Sequence, residues 1–566
     1  MTENVIKDYI EQDIWQVKEN SNTQYSYAGL QLMLAELSVK KYMLDEVFPS
    51  KIKKAYDDGY IHIHDLGAGL VVYCMGHDLQ EMLELGLNGV DGKISTLPPR
   101  HLRSAINQMV NYLFTLQADA AGAQAFNSID TLLAPYIKME NLSYKEVKQC
   151  MQEFIYPLNI PTRVGMQSPF SNCTFDLKCP ERFKALHPKI CGKALDFTYG
   201  DCNNEIGMIA KAFFDIMSDG DARGRPFTFP IPTINLHKNF VWDDEVAKYI
   251  FEATAKYGTP SFQNFLNSDL DPESQYSMCC RLRIDKSQLI KASGGTFGAG
   301  NKTGSIGVVT LNLPRLAYEA KNEKELLESI EKYAIIAKES LEIKRELISK
   351  NLERGLMPYI KRYIGTFKNH FSTVGLVGGN EMCLNLIGKD ITTDDGQALM
   401  ERVLKFLQAQ VARFQEETGN LYNMEQSPSE STAYKLAKYD KQVHPKIIAA
   451  GNGTPYYTNS SHVHVENKIS LYKMLKLQDK FNKYYNGGTV VHVFLGQRVT
   501  DWINCMMLVK KIAEATTLPF FTITPNFSIC PIHGYIAGTH EMCPLNHTEA
   551  ELKEYGILET KKMEET

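Results

Sequence analysis

Two adjacent cysteines, Cys279 and Cys280, open the stretch of the chain whose residue types best suit chemistry. A basic linker follows them, and a glycine-rich loop at 294–307 then leads into an apolar segment, 306–313, that is typical of a buried strand. Long ordered loops in compact domains are usually functional. A thiol at the base of such a loop indicates sulfur chemistry on a bound ligand, although a free cysteine also serves as a small buried hydrophobe.

The composition limits the classes of protein to which this chain can belong. The 566 residues are 44% hydrophobic and 22% charged, which is ordinary globular composition. The formal net charge of −5 gives no indication of a nucleic-acid partner. The N-terminus is charged and no long apolar run occurs, so neither a signal peptide nor a membrane segment is predicted. Twelve scattered cysteines predict reduced thiols or metal ligands in a cytoplasmic protein.

Several motifs resemble one family. SMCCRLR at 277–283 and TGSIGVVTLNLPR at 303–315 resemble the thiyl-radical finger loop of anaerobic (class III) ribonucleotide reductases, which belong to the glycyl radical enzymes. Other stretches resemble that family in the same order along the chain: 19–30, 59–67, 73–79, 120–126, 161–165, 229–236, 368–381, 454–461, 487–496 and 528–535. The resemblance therefore extends over about residues 10–545.

The resemblance implies an α/β fold, a ten-stranded barrel with the finger loop, about 277–314, at its centre. It divides the chain into an N-terminal helical region at 1–60, a catalytic barrel at 61–524 and a C-terminal zinc-binding segment and tail at 525–566. The alternation of strands and helices independently favours parallel βαβ units. The clearest helix, 320–354, has apolar residues at helical spacing: Leu326, Ile330, Tyr333, Ala337, Leu341 and Ile348.

By resemblance, the activity is the anaerobic reduction of ribonucleoside triphosphates to 2′-deoxyribonucleoside triphosphates by thiyl-radical chemistry. Cys280, which precedes Arg281, matches the radical-carrying cysteine, with Cys279 as the alternative. Cys74 matches the cysteine that faces it across the substrate. ATP and deoxynucleoside triphosphates are the implied allosteric effectors, and residues 99–127, interpreted as one long helical segment, would form the interface of a homodimer.

Polar residues elsewhere suit a nucleotide. His62 and His64 are two residues apart in a predicted strand, so both imidazoles share one face, and a role lining the substrate is favoured over metal binding. Turns at 377–381, 454–461 and 486–489 offer amides and hydroxyls that suit phosphate. Turn composition explains each of them equally well. By family position, the substrate-binding residues are His64, Ser305, Asn459, Ser460, Gly487, Gly488 and Thr489.

The C-terminal segment carries a pattern of paired metal ligands. Cys530 and His533 form one tight pair, and Cys543 and His547 form the other, which is what tetrahedral zinc requires. The family has a C-terminal zinc site built mainly from cysteines. His540 is a competing fourth ligand, and the alternative is a degenerate site without metal.

Two features of the family are missing from their expected places. The N-terminal ATP cone that many relatives carry is not found, so control of overall activity by dATP is not expected. The glycyl-radical motif is not found either, because Gly556 lies in a charged context unlike Arg-Val-x-Gly-Tyr. The radical glycine is then on a separate glycyl-radical protein, in absent residues, or not used.

The implied partners are a radical-SAM activase and a reductant. Ser305 stands where relatives that use formate often carry asparagine, so formate and a dithiol redoxin both stay open as reductant. Two other functions remain alternatives: a different glycyl-radical enzyme acting on a small substrate, and a non-catalytic nucleotide-binding paralogue.

Overall fold

The computed structural model describes most of the chain between Thr2 and Glu554. The described residues are 2–12, 25–267, 275–276, 284–285, 302–426, 430–451, 453–465, 467–495, 499, 501–525, 527–530, 532, 534–537 and 543–554. Cys279, Cys280, His533, His540 and Gly556 lie outside them.

Helices make up most of the chain around a central sheet. The α-helices are α1 Thr2–Ile10, α2 Tyr27–Tyr42, α3 Ser50–Asp57, α4 Leu79–Leu85, α5 Leu102–Leu116, α6 Ile129–Glu140, α7 Tyr144–Ile155, α8 Glu181–Lys184, α9 Asn203–Asp219, α10 Glu245–Tyr257, α11 Leu313–Glu319, α12 Glu323–Glu353, α13 Pro358–Tyr363, α14 Gly379–Ile387, α15 Asp394–Thr418, α16 Glu430–Val443, α17 Leu471–Asn482, α18 Trp502–Ala515 and α19 Glu549–Glu554. A π-helical turn at Met43–Val47 and 3₁₀ turns at Leu66–Ala68, Gln117–Asp119, Pro157–Asn159 and Tyr199–Cys202 complete the helical elements of the described chain.

The strands are short, and most of them belong to one sheet. They are β1 Ile61–Ile63, β2 Cys74–His77, β3 Gln124–Phe126, β4 Ser171–Phe175, β5 Lys189–Ile190, β6 Lys193–Ala194, β7 Ile231–Leu236, β8 Ser261–Asn264, β9 Gln275–Tyr276, β10 Ile284–Asp285, β11 Thr303–Asn312, β12 His370–Val377, β13 Tyr422–Glu425, β14 Val491–Phe494, β15 Phe520–Thr524, β16 Phe527–Cys530 and β17 Gly534–Ala537. The pairs β5–β6, β9–β10 and β16–β17 are separate two-stranded ladders.

The main sheet has eleven strands in the order β13-β12-β11-β2-β3-β4-β7-β8-β15-β14, with β1 paired to β11. Strands β2, β3, β4, β7 and β8 run parallel to one another. Strands β11, β12 and β13 form a second parallel set that meets the first antiparallel at β11 and β2. The predicted α/β class and the large sheet are thus confirmed.

The two ends of this strand path lie side by side. The amide of Gln426, just after β13, donates to the carbonyl oxygen of Gly487 at 3.0 Å, and the amide of Asn486 donates to Met424 at 2.9 Å. Residues 486–487 lead into β14, the other end of the path. These hydrogen bonds join the two ends of the path, while a closed ten-stranded barrel stays a prediction.

Two apolar cores pack the helices against the sheet. One includes Phe126, Phe175 and Phe262 from the first parallel set. The other includes Val309 and Val374 from the second set, packed under α12 and α15. Alternating strands and helices produce this layering because a buried parallel strand needs helices on its outer face.

Several local predictions can be compared with the structure. The helix expected at 320–354 is confirmed as α12. The single helical segment expected over 99–127 is wrong beyond Leu116, because the small residues there lead into strand β3. A Cβ on Gly122 would lie 3.0 Å from the carbonyl oxygen of Tyr73, so the small residues serve close strand contact.

The described helices were also searched for membrane segments. None of them combines the length and the apolar character that crossing a bilayer requires. The division of the chain at residues 60 and 524 stays a prediction.

Candidate active site

Cys74 lies at the seam where the two parallel sets meet. It is the first residue of β2, it is 1% exposed, and its Cα is paired with that of Ser305 on β11. The amide of Tyr73 donates to the carbonyl oxygen of Ser305 at 3.1 Å. The sequence therefore places a thiol and a hydroxyl side by side on neighbouring strands, although the two residues are far apart in the chain.

Glycines on both sides of Cys74 allow the strands to approach it. A Cβ on Gly304 would collide with the carbonyl oxygen of Cys74 and would lie 2.8 Å from the ring of His370. A Cβ on Gly122 would lie 3.5 Å from the Cβ of Cys74. No side chain larger than hydrogen fits at Gly304 without moving β2.

His64 contacts β11, the strand that carries Ser305. Its Nε2 is 2.8 Å from Oγ1 of Thr310, and its amide donates to the carbonyl oxygen of Val308 at 3.0 Å. The rings of His62 and His64 meet edge to face with centroids 5.0 Å apart, so they share a face as expected. Burial, together with the nearby positive charge of Lys344, lowers the pKa of His64 to about 4. The imidazole is therefore neutral at physiological pH.

A row of buried polar side chains runs from Ser305 across three parallel strands. Oγ of Ser305 is 3.2 Å from Oγ1 of Thr373, which donates to Oδ1 of Asn423 at 2.8 Å. Nδ2 of Asn423 donates to Oε1 of Glu425 at 3.2 Å. Sequence reasoning missed Thr373, Asn423 and Glu425, because the strand order that aligns them is set by tertiary structure.

The predicted phosphate-binding turns come together at the end of this row. The amide of Gly378 donates to the carbonyl oxygen of Thr458, and the amide of Gly379 donates to that of Ser460, both at 2.8 Å. Helix α14 begins at Gly379, so its positive dipole end points at these turns. Ser460 has a φ of 47°, a left-handed conformation that non-glycine residues adopt rarely.

The third turn joins the same cluster. Glu425 forms a β-bridge with Gly487, and Gly488 has a φ of 65°. A Cβ on Gly488 would lie 2.8 Å from the backbone of Gln426. Oγ1 of Thr489 is buried without a hydrogen-bond partner among the described residues. This buried hydroxyl lies beside turns that are predicted to bind phosphate, so a bound ligand could supply its missing hydrogen bond.

A buried network holds the 454–461 turn in place. The hydroxyl of Tyr457 donates to Oδ2 of Asp440 at 2.7 Å, and Nδ2 of Asn312 donates to the same oxygen at 2.8 Å. Nη1 of Arg315 donates to Oδ1 of Asp440 at 2.9 Å. Asn312 ends β11, so this network links the turn to the strand that carries Ser305. The backbone carbonyl of Asn459 accepts from the amide of His462 at 2.9 Å.

Helix α12 carries two buried charged side chains, Lys344 and Arg345, on the side that faces the sheet. Lys344 is 3% exposed, and its Nζ lies 3.1 Å from the position that a Cβ on Gly307 would take. Burial lowers its pKa to about 8. Sequence reasoning missed this residue, although the apolar stripe of the helix carries a signal: Lys344 occupies the position between Leu341 and Ile348.

Three of the four predicted metal ligands lie together at the C-terminus. The ligand atoms of Cys530, Cys543 and His547 all fall within 4.8 Å of one another. Sγ of Cys530 is 3.2 Å from Nε2 of His547 and accepts a hydrogen bond from the amide of Ile532 at 3.4 Å. Two sulfurs and one imidazole around one point are a donor set that suits zinc.

The two cysteines of the finger loop fall between β9 and β10 in the sequence. Those strands pair antiparallel, with Ile284 opposite Tyr276. Cys279 and Cys280 themselves lie outside the described residues. The assignment of the radical carrier within this pair therefore stays a prediction.

The α/β sheet thus carries a buried thiol where its two parallel sets meet, and a buried polar row leads from the neighbouring strand to glycine-rich and hydroxyl-rich turns. The family model for anaerobic ribonucleoside-triphosphate reductase matches residues 19–555. The chain belongs to the anaerobic ribonucleoside-triphosphate reductase family and is an oxidoreductase of that class. The family match decides against the alternative of a different glycyl-radical enzyme.

Known relatives agree with this assignment. The anaerobic ribonucleoside-triphosphate reductase of Haemophilus influenzae is 24% identical over 527 residues, covering 86% of this chain and 71% of that protein. The enzyme of Enterobacteria phage T4 is 24% identical over 583 residues, covering 93% and 89%. The crystal structure of the Thermotoga maritima anaerobic ribonucleotide reductase in complex with dATP and CTP superposes with a TM-score of 0.71 at 21% identity, covering 92% of this chain and 85% of that one.

Proposed function

We propose that this chain reduces ribonucleoside triphosphates by thiyl-radical chemistry in a pocket between Cys74 and the turns at 454–461 and 486–489. The observation that carries the proposal is the polar row from Ser305 to Glu425, which ends beside Gly487. This row joins β11, the strand beside Cys74, to the turns that are predicted to bind phosphate. A bound nucleotide fits this arrangement if its ribose lies near Cys74 and its triphosphate lies on the turns.

In this proposal the thiyl radical of Cys280 takes the 3′-hydrogen atom of the ribose. The 2′-hydroxyl then takes a proton from the thiol of Cys74 and leaves as water. Formate or a dithiol redoxin supplies the two electrons and the second proton of the reduction, and Cys280 returns the hydrogen atom to C3′. Cys74 faces the ribose from the opposite side, where its depth keeps water away. His64, neutral at physiological pH, supplies hydrogen bonds and no charge. Pre-positioning of the reacting atoms is the main contribution that such a site makes to the rate.

The triphosphate occupies the turns in this proposal, with Asn459, Ser460, Gly487, Gly488 and Thr489 around it. The positive end of the α14 dipole and the hydroxyl of Thr489, which has no hydrogen-bond partner among the described residues, suit phosphate oxygens. The Thermotoga maritima relative was crystallised with CTP and dATP. We propose that nucleotides of these kinds serve this chain as substrate and effector.

Asn459→Ala should weaken CTP binding by about 10- to 150-fold, because one hydrogen bond to a charged phosphate is worth roughly 1.5–3 kcal/mol. Isothermal titration calorimetry measures this directly and needs no radical. Asn204→Ala is the matched control, since Asn204 is an exposed residue of α9 outside the turns. Equal CTP affinity in Asn459→Ala and the parent protein would remove this turn from the site.

Zinc is the proposed metal of the C-terminal cluster, held by Cys530, Cys543, His547 and His533, with His540 as the competing fourth ligand. Elemental analysis of protein purified without chelator should find about one zinc per chain. Cys543→Ser should lose it, and Cys191→Ser, a half-buried free cysteine elsewhere, should keep it.

The same analysis on His533→Ala and His540→Ala identifies the fourth ligand. Chelation should increase hydrogen exchange in the C-terminal segment alone, because the sheet has its own two cores. Protein without stoichiometric zinc would contradict the proposal.

The remaining partners follow from the family. We propose a radical-SAM activase, a homodimer with ATP and deoxynucleoside triphosphates as effectors, and a cytoplasmic location. Three sources of the radical stay open, because the context of Gly556 does not match the motif: a glycine on a separate glycyl-radical protein, a glycine in residues absent from the given sequence, or no glycyl radical at all. The reductant is formate or a dithiol redoxin.

A further inference from the structure

Two lysines converge on one buried tyrosine. Nζ of Lys435 donates to the hydroxyl of Tyr56 at 3.0 Å and lies 4.5 Å from the centre of its ring. Nζ of Lys40 lies 5.4 Å from the same centre. Lys40 belongs to α2, Tyr56 to α3 and Lys435 to α16, so three separate helices bring these groups together. Burial works to raise the pKa of Tyr56, but the two ammonium groups outweigh burial and hold that pKa below its ordinary value.

The ring of Phe414 also faces two cations, and there a carboxylate balances them. Nζ of Lys338 lies 5.1 Å and Cζ of Arg413 lies 5.8 Å from the centre of that ring. Both cations pair with Glu417, at 2.7 and 3.4 Å. The two lysines at Tyr56 form no ion pair with any side chain that the structure describes. Because like charges repel, such a pair of ammonium groups favours an anion between them.

The tyrosine and a neighbouring histidine add hydrogen-bonding groups. The hydroxyl of Tyr56 accepts from Lys435, and its own proton has no acceptor among the described residues. The ring of His62 stacks on that of Tyr56 with centroids 5.9 Å apart. Nδ1 of His62 is buried and has no hydrogen-bond partner in the part of the chain that the structure describes. We call Lys40, Tyr56, His62 and Lys435 the basic cluster. Its ammonium and hydroxyl donors suit phosphate oxygens.

Contacts on two sides join the basic cluster to the candidate active site. The rings of His62 and His64 are 5.0 Å apart, and Nε2 of His64 contacts β11. The amide of Tyr457, in the 454–461 turn, donates to the carbonyl oxygen of Ala433 at 3.3 Å. Ala433 lies two residues before Lys435 on α16. The cluster is therefore linked both to the histidines of the site and to a turn that is predicted to bind phosphate.

We propose that the basic cluster binds the terminal phosphate of the substrate, and that Lys40 and Lys435 select a nucleoside triphosphate over a diphosphate. The inference rests on the proposed function, in which the turn at 454–461 binds the preceding phosphates. A terminal phosphate carries about −1.5 to −2 charges at neutral pH, and two ammonium groups without carboxylate partners match it. A diphosphate bound on the same turn ends before it reaches these lysines.

Isothermal titration calorimetry with CTP and with CDP tests the inference without turnover. Each titration contains dATP at a fixed concentration, so that the proposed effector sites are already occupied. The parent protein should bind CTP more tightly than CDP. Lys435→Met should lower the affinity for CTP about tenfold, because a charge-assisted hydrogen bond is lost, and should leave the affinity for CDP unchanged. The variant should fold normally, since Lys435 is exposed.

Other variants separate the effect of charge from that of shape. Lys40→Met should lower the affinity for CTP in the same way. Lys435→Arg keeps the positive charge and should keep the preference for CTP. Lys338→Met is the matched control, because it removes an ammonium group from the ring of Phe414, and it should leave both affinities unchanged.

An unchanged ratio of CTP to CDP affinity in both Lys435→Met and Lys40→Met would overturn the inference. Equal losses for the two nucleotides would overturn it as well, because the lysines would then not act on the terminal phosphate. Inorganic phosphate is titrated alone to detect a site for the free anion. Phosphate binding that disappears in Lys435→Met, while CTP affinity stays unchanged, would also overturn the assignment to the substrate.

The two proposals fail in different ways. CTP that the parent protein neither binds nor reduces would refute the proposed function and this inference together. CTP that is bound and reduced, with a preference over CDP that does not respond to Lys40 or Lys435, leaves the proposed function standing and excludes the basic cluster from the site.

Discussion

Cys280→Ser abolishes deoxyribonucleotide formation while CTP binding stays intact. Serine keeps the shape of the side chain, but an O–H bond is too strong for the hydroxyl to exchange hydrogen reversibly with a ribose C–H. Loss of a covalent catalytic group costs enzymes roughly four orders of magnitude or more in rate. Anaerobic product analysis and calorimetry on the same protein measure both quantities.

The neighbouring cysteine is the matched control. Cys279→Ser makes the same atomic change one residue away and should retain measurable turnover. The reverse result, activity in Cys280→Ser and none in Cys279→Ser, would move the radical carrier to Cys279. Activity in both variants would remove this pair from the chemistry.

Gly304→Ala destabilises the protein by about 3 kcal/mol and sharply reduces turnover. The added Cβ collides with the carbonyl oxygen of Cys74 and meets the ring of His370 at 2.8 Å. Overpacking where backbone must move costs about 1–3 kcal/mol or more. The shift falls on the residue that presents the thiol, so stability and activity fall together. Chemical unfolding midpoints and anaerobic turnover measure the two effects.

Gly207→Ala is the corresponding control in α9. Its Cβ would lie 3.4 Å from Cγ2 of Val246, an ordinary contact, and alanine in a helix is worth up to about 1 kcal/mol over glycine. It should therefore leave activity unchanged and stability equal or higher. A Gly304→Ala protein as stable and active as this control would show that β2 does not hold Cys74 against β11.

The sequence predicted those parts of the candidate site that are formed by residues close together in the chain. His62, in the strand at 61–63, and His64, directly after it, share one face because side chains alternate along extended chain. Glycine-rich and hydroxyl-rich turns were predicted to bind phosphate, and the structure brings all three of them together. The paired ligands at the C-terminus predicted a cluster that the structure forms from Cys530, Cys543 and His547.

Strand order and long-range packing could not be predicted in the same way. Thr373, Asn423 and Glu425 form a row only because β11, β12 and β13 are neighbours, and no local spacing encodes that. Residues 120–126 continue a helical composition, but Gly122 is needed for contact with Tyr73 and the chain becomes a strand. Lys344 does leave a trace in the sequence, as a lysine within an apolar stripe.

The central claim is that this chain converts ribonucleoside triphosphates to deoxyribonucleoside triphosphates with a ribose-centred radical. The most direct test is anaerobic incubation with CTP, a radical-SAM activase, a glycyl-radical partner protein, effector nucleotides, and formate or a reduced dithiol protein. Substrate deuterated at C3′ runs in parallel. The account predicts that dCTP is formed, and that it is formed more slowly from the deuterated substrate than from ordinary CTP. The Cys280→Ser variant should form no dCTP. CTP that binds and is never reduced, under each reductant and each effector, would contradict it.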